Sequence, residues 1–316
     1  MSIAVLGEAL IDFIMNQDGS YRPYLGGSPY NVAIGLARQG CEVSYLSPLS
    51  SDKFGDQFAK VMLKEGVQMP INRRSLWPTS LALVTLTEEG LPSYRLYREG
   101  IADKDTEFEE IKANLPDKLQ LFHTGSLAIT PSQLPKITNL FELFHSMGVQ
   151  VSIDLNIRLG ASIDKTAYLN GVRSLLPLAD IVKASDEDLL ALKLNNDARR
   201  SAELAYEEMK SGILILTEGS GGVVVYTPNA VVQRKAHSIV NVADTVGAGD
   251  TFHSAFLAYL CRHSSIAGPI SNVDITMLGN AADYACAAAA INVSRVGCSP
   301  PTQSETERFI ASTELK

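Results

Sequence analysis

Short apolar runs alternate along this chain with longer stretches whose apolar positions return every three or four residues. The runs at 3–6, 43–46, 121–123, 149–154, 181–183 and 213–217 predict strands. The longer stretches at 30–39, 57–65, 133–147, 165–176, 198–210, 251–262 and 274–292 predict helices. Strand followed by helix over most of the length predicts a largely parallel sheet with helices on both faces. In such sheets ligands sit at the carboxyl ends of the strands. Two regions break the rhythm. Residues 13–26 are rich in turn formers and tyrosine, and SLALVTLTEEGLPSYRLY at 80–97 reads as a hairpin turning at Glu89-Gly90. These two segments, about 13–26 and 80–104, predict a small β extension inserted in one domain spanning 1–316. It would be either a lid over a site or a plain edge hairpin.

Composition narrows the class. Of 316 residues, 46% are hydrophobic and 20% charged, so a sizeable core is available and global disorder is excluded. A net charge of −8 argues against a nucleic-acid surface, while leaving room for a local cationic pocket. No apolar run approaches the roughly 20 residues that span a bilayer. The opening MSIAVLGEALIDF carries no secretory pattern, so a cytoplasmic protein is expected. Cys41, Cys261, Cys286 and Cys298 are scattered without metal-ligand spacing, which predicts reduced thiols.

The most informative stretch is DTVGAGDTFHSAFL at 244–257. Gly247, Ala248 and Gly249 are small enough for backbone to approach a ligand closely. The helix that follows offers free N–H groups and the positive end of its dipole to an anion. Asp250, at the mouth of that turn, is placed to take a proton from a hydroxyl. Alone, an aspartate there is more often a helix cap. His253 follows as a lining residue or as a packed helix residue. A second cluster lies near the N-terminus. GEALID brings Asp12 after the first strand, and GGSPYN brings Gly26, Gly27 and Asn31 to a helix start. A carboxylate and a carboxamide together suit vicinal hydroxyls. No Gly-x-x-x-x-Gly-Lys-Ser/Thr sequence occurs, so P-loop chemistry is excluded, and Gly7 does not open a dinucleotide-binding turn.

GGSPYNVAIGLARQG and DTVGAGDTFHSAFL resemble the two signatures of the PfkB (ribokinase-like) carbohydrate kinases, over nearly the whole chain. Within that family GEALIDF, YREGIAD, FHTGSLAI and DLNIR are similar to fructokinase members. The resemblance implies a three-layer α/β/α sandwich with a mainly parallel central sheet and a small β lid. It implies Asp250 as the base and the Gly247, Ala248 and Gly249 N–H groups as the anion hole. Asp12, Gly26, Gly27 and Asn31 would hold the sugar, with Arg98 approaching it and Arg158 reaching either phosphate oxygens or the sugar. Arg98 reads equally as a solvated arginine and Arg158 as half of an ion pair. Thr217, Gly219 and Gly222 in LTEGSGG, with Lys183 and Ser185, would face ATP. Where many members carry Asn-x-x-Glu, this chain has Ser185 and Asp188, so Asp188 would meet Mg²⁺ through water. Asp244 resembles part of a monovalent-cation loop, implying K⁺. Relatives also imply a homodimer through the lid.

The reaction expected is ATP-dependent phosphorylation of a primary hydroxyl of a furanose sugar, D-fructose first. A 2-keto-3-deoxygluconate kinase, or another sugar or nucleoside kinase of the family, is the alternative. A non-catalytic sugar-binding regulator is a remote third.

Overall fold

The computed structural model describes residues 2–16, 18–86, 92–239, 241–263 and 268–314, so the Glu89-Gly90 turn lies outside the described residues. The strands are β1 (Ser2–Val5), β2 (Leu10–Met15), β3 (Tyr21–Gly26), β4 (Glu42–Tyr45), β5 (Ser80–Leu86), β6 (Pro92–Tyr97), β7 (Leu119–Gly125), β8 (Gln150–Asp154), β9 (Ile181–Ser185), β10 (Ile213–Thr217), β11 (Val223–Tyr226) and β12 (Val231–Arg234). The helices are α1 (Ser28–Arg38), α2 (Lys53–Lys64), α3 (Phe108–Ala113), α4 (Leu134–Ser146), α5 (Lys165–Leu175), α6 (Asp186–Ala191), α7 (Ala198–Glu208), α8 (Ala248–Arg262), α9 (Ile275–Val293) and α10 (Gln303–Glu314).

The large sheet runs β12-β11-β10-β9-β8-β7-β1-β4. Pairing is parallel from β10 to β4, and β11 and β12 add an antiparallel edge. Its strands bury both faces, because side chains alternate sides along a strand. Ile3, Val5, Leu121, Ile181 and Ile215 enter one core with α1, α8 and α9. Ala4, Phe122, Val151, Val182 and Leu214 enter the other with α4, α5 and α7. This is a three-layer α/β/α sandwich, the fold that the resemblance implies.

The second sheet runs β3-β2-β5-β6. β5 and β6 pair antiparallel, as the hairpin reading expects, and β2 joins β5 in parallel. The extension starts earlier than the sequence suggests. Leu10–Met15 is a strand, so Asp12 stands within the small sheet opposite Tyr24 and Ala82. Among the described residues no helix is long and apolar enough to cross a membrane.

Candidate active site

The parallel strands of the large sheet end together, and Asp250, Asp12, Lys183 and the glycine turn gather at that end. α8 begins three residues before the predicted start. Its N-cap is Gly247 in a left-handed conformation, φ 71°, which an L side chain rarely adopts, and a Cβ there would also overlap Cys298 Sγ. Asp250 therefore sits in the first helical turn rather than before it. The N–H groups around it belong to the end of the helix that lacks intrahelical acceptors. Ala248 N–H meets Thr245 O at 3.2 Å.

Both Asp250 oxygens are held from α1. Ser28 Oγ donates to Oδ1 at 2.6 Å and Asn31 Nδ2 donates to Oδ2 at 2.8 Å. Ser28 and Asn31 are three apart on α1, so they share a face. The helices approach closely enough to meet because α1 carries no side chain at Gly35, where a Cβ would overlap Ser254 Oγ on α8. Asn31 is thus engaged with the aspartate. Ser28 was not singled out by sequence, where a serine at a helix start reads as a cap. Gly27 instead caps α1.

From the small sheet, Asp12 reaches the same place, and Gly26 backs onto its carboxylate. Burial raises the Asp12 pKa to about 6; Arg158 opposes the rise and the Asp250 charge adds to it. Arg158 is exposed, and its guanidinium donates to Ile157 O at 3.2 Å. It follows Asn156, which holds φ 35° in the loop after β8. Arg98 turns the other way. It is buried, pairs with Asp103 at 2.6 Å and donates to Ser80 Oγ at 2.9 Å, tying down the root of β6. Beside it lies Glu8, which accepts from Ser28 N–H at 3.3 Å. Burial lifts Glu8 to a pKa of about 7, against the pull of Arg98.

Lys183 is fully enclosed. Its Nζ lies 2.9 Å from Asp154 Oδ2 and 3.0 Å from where a Cβ on Gly249 would stand. Burial alone would lower its pKa, but the Asp154, Asp188 and Asp250 carboxylates outweigh burial and keep it protonated. A fixed cation thus lies directly under the glycine turn. Ser185 and Asp188 form a reciprocal capping box at the start of α6. Asp188 Oδ1 also accepts Ile157 N–H at 2.6 Å. Both its oxygens are therefore engaged with backbone. Thr217 ends β10, with its hydroxyl 3.5 Å from Ala184 O. Gly219 opens the turn that leads through Gly222 into β11.

Asp244 likewise spends its carboxylate on backbone, accepting Val246 N–H at 3.0 Å and Gly297 N–H at 2.9 Å. Among the described residues no three His, Cys, Asp or Glu side chains are grouped to hold a metal. The donors present do not build a protein cage for Mg²⁺. A cavity of about 460 Å³ near Tyr259, Arg262, Tyr284 and Glu307 is lined by none of the singled-out residues.

A family model described as pfkB family carbohydrate kinase matches residues 1–305. The chain belongs to the pfkB family of carbohydrate kinases. It is 33% identical over 259 residues to a fructokinase of Escherichia coli, covering 81% of this chain and 83% of that one. It is 29% identical over 326 residues to probable fructokinase-5 of Arabidopsis thaliana, covering 98% and 97%. Its fold matches a crystal structure of fructokinase with bound ATP from Xylella fastidiosa at a TM-score of 0.86 and 28% identity, covering 99% of each chain. In this carbohydrate kinase, then, the glycine turn, Asp250, Asp12, Arg158 and Lys183 converge at one end of the sheet. Ser28 and Glu8 join them; both lie inside the quoted GGSPYN and GEALID segments, though neither was singled out there.

Proposed function

We propose that this kinase transfers the γ-phosphoryl group of ATP to a primary hydroxyl of a furanose sugar, D-fructose before others. The observation that carries the reading is the Asp250 carboxylate, held by Ser28 and Asn31 in the first turn of a helix that opens on a glycine turn. Similarity to fructokinases over most of the chain supports the choice of sugar.

In this reading Asp12, Gly26, Gly27 and Arg158 orient the sugar, and the small sheet closes over it as a lid. Asn31 and Ser28 aim Asp250 at the reacting hydroxyl. Asp250 takes the proton late, as the new P–O bond forms, because an alcohol scarcely ionises at neutral pH. The Gly247, Ala248 and Gly249 N–H groups, backed by Lys183, offset charge on the transferring phosphoryl oxygens. Thr217, Ser185, Gly219 and Gly222 border the nucleotide. Magnesium would arrive on the phosphates with most of its waters, and no step here depends on a protein ligand to it. With Asp244 committed to N–H groups, a K⁺ ion would be left with backbone carbonyls. A homodimer would form through the small sheet, which exposes Ile14 and Tyr24 on one face and Met15 on the other.

The test is Asp250→Asn assayed by ADP release. Turnover should fall by about 10²- to 10⁴-fold, the range for losing a general base, with sugar and ATP still bound. Near-normal turnover would overturn the role of Asp250. A second reading, 2-keto-3-deoxygluconate kinase, gains from Arg158, an exposed cation near Asp12 that could meet a substrate carboxylate. Wild-type turnover on fructose, ketodeoxygluconate, ribose and a nucleoside decides between them. A regulator without catalysis would bind sugar and release no ADP from any of these.

A further inference from the structure

A polar chain lies buried beneath the helix that carries Asp250. His253 follows that aspartate by three residues and brings Nε2 to 2.8 Å from Ser152 Oγ on β8. The same hydroxyl lies 3.1 Å from Nδ1 of His123 on β7, whose backbone is in register with Ser152. The two imidazoles sit 4.9 Å apart, centroid to centroid, and all three residues are 0% exposed. Two positions further along β8, on the same face, Asp154 holds Lys183 under Gly249. Three neighbouring strands thus each send a polar side chain towards the first two turns of α8.

His123, Ser152 and His253 play no part in the chemistry described above, and their burial is costly. Burial, then His123 and Lys183, pushes His253 well below the imidazole range; burial, then Lys183, takes His123 to about 3. Both rings are neutral. Ser152 can therefore donate to one ring while accepting an N–H from the other, which satisfies the middle of the chain and not its ends. His123 Nε2 and His253 Nδ1 have no partner among the described residues. Each such buried atom costs stability, and an apolar trio of the same volume would avoid that cost. A hydrogen bond adds direction, which apolar contact lacks. Apolar packing tolerates a small rotation of α8, whereas the 2.8 Å bond from a ring to a strand does not.

We infer that Ser152 and His253 are positioning residues, whose hydrogen bond sets the rotation and height of α8 against the sheet so that Asp250 and the glycine turn keep their aim. The kinetic side of this inference rests on the kinase reading; its structural side does not.

Because His253 bonds through Nε2, glutamine can keep the hydrogen bond and leucine only the bulk. His253→Leu should lower kcat by about 10- to 100-fold, the cost of a misplacement near 1 Å, with sugar and ATP KM nearly unchanged. It should melt no lower than wild type. His253→Gln should recover kcat to within about threefold of wild type. Ser152→Ala, which removes one hydroxyl and little volume, should behave as the leucine variant does, and serves if that variant does not fold. Amide exchange across residues 247–253 needs no turnover; it should quicken in His253→Leu and Ser152→Ala and stay slow in His253→Gln. Wild-type kcat in both non-bonding variants, with unchanged exchange, overturns the inference. So does an equal loss of kcat in the glutamine and leucine variants. If wild-type protein turned over no sugar, the kinase reading would fail, and the exchange difference would decide the positioning role by itself.

Discussion

Asp12 can accept hydrogen bonds from sugar hydroxyls on both oxygens only when ionised, and burial sets its pKa at about 6. We therefore expect kcat/KM for sugar to rise with pH through about 6, and this rise to vanish in Asp12→Asn. Asp12→Ala should raise the sugar KM by about 10- to 100-fold, the worth of one charge-assisted hydrogen bond, with ATP KM little changed. An unaltered sugar KM would place the acceptor elsewhere. Glu8 makes a stability prediction. Its folded pKa, about 7, lies above the ordinary 4.5, so the folded state keeps a proton that the unfolded chain releases. Its contribution is complete below pH 4.5 and is lost as pH rises through 7, on the order of 3 kcal/mol in all. Denaturant titrations of Glu8→Gln and wild type should diverge across that window, the wild type losing ground as pH rises. A constant difference would show that Glu8 does not titrate there. Asp12 was legible in the sequence because it was read with the Asn31 carboxamide and the family resemblance as a partner for sugar hydroxyls. Glu8, three residues from the end of the first strand, was not: its burial comes from Arg98 and α1, both distant in sequence.

At the scale of elements, position within the element decides what a side chain can do. α8 was legible from its apolar periodicity, but its start was not. Gly247 supplies a left-handed cap, so the helix takes in Ala248 and Gly249 and Asp250 falls in its first turn. Ser185 and Asp188 show the converse. The family resemblance put them where many members carry a metal-linked motif; both close a capping box on α6, and Asp188 also holds the Ile157 N–H in the loop before Arg158. Asp188→Ala should cost about 1–3 kcal/mol of stability through the N–H groups it leaves unpaired. It should leave the magnesium dependence of turnover unchanged, measured as ADP release against metal concentration. A shifted dependence would assign Asp188 to the metal instead. The short α3 and α6 escaped notice because six residues hold too few turns for a helical period to register.

For the whole molecule, two sheets and the space between their ends define the site, so ligand binding should be felt globally. If fructose is the substrate, fructose at 100 times its Kd should stabilise the fold by about 2.7 kcal/mol, and Asp12→Ala, binding about 10- to 100-fold more weakly, should lose about half of that shift or more at the same concentration. A thermal-shift series over the same sugars would show it; no shift with any of them would remove the sugar site. The alternation of apolar runs and amphipathic stretches was enough to determine the parallel sheet and its covering helices, and the small residues at 247–249 the glycine turn. Each is a local pattern whose burial needs little beyond neighbouring residues. Tertiary structure alone decided that Ser28 and Asn31 bond Asp250, that Arg98 faces Asp103, and that His253 reaches Ser152. Those contacts join residues far apart in the chain, except Arg98 and Asp103, where the choice among nearby partners depends on how β6 is anchored. Hydrogen bonds act over about 3 Å, and no periodicity records which distant side chains will come that close.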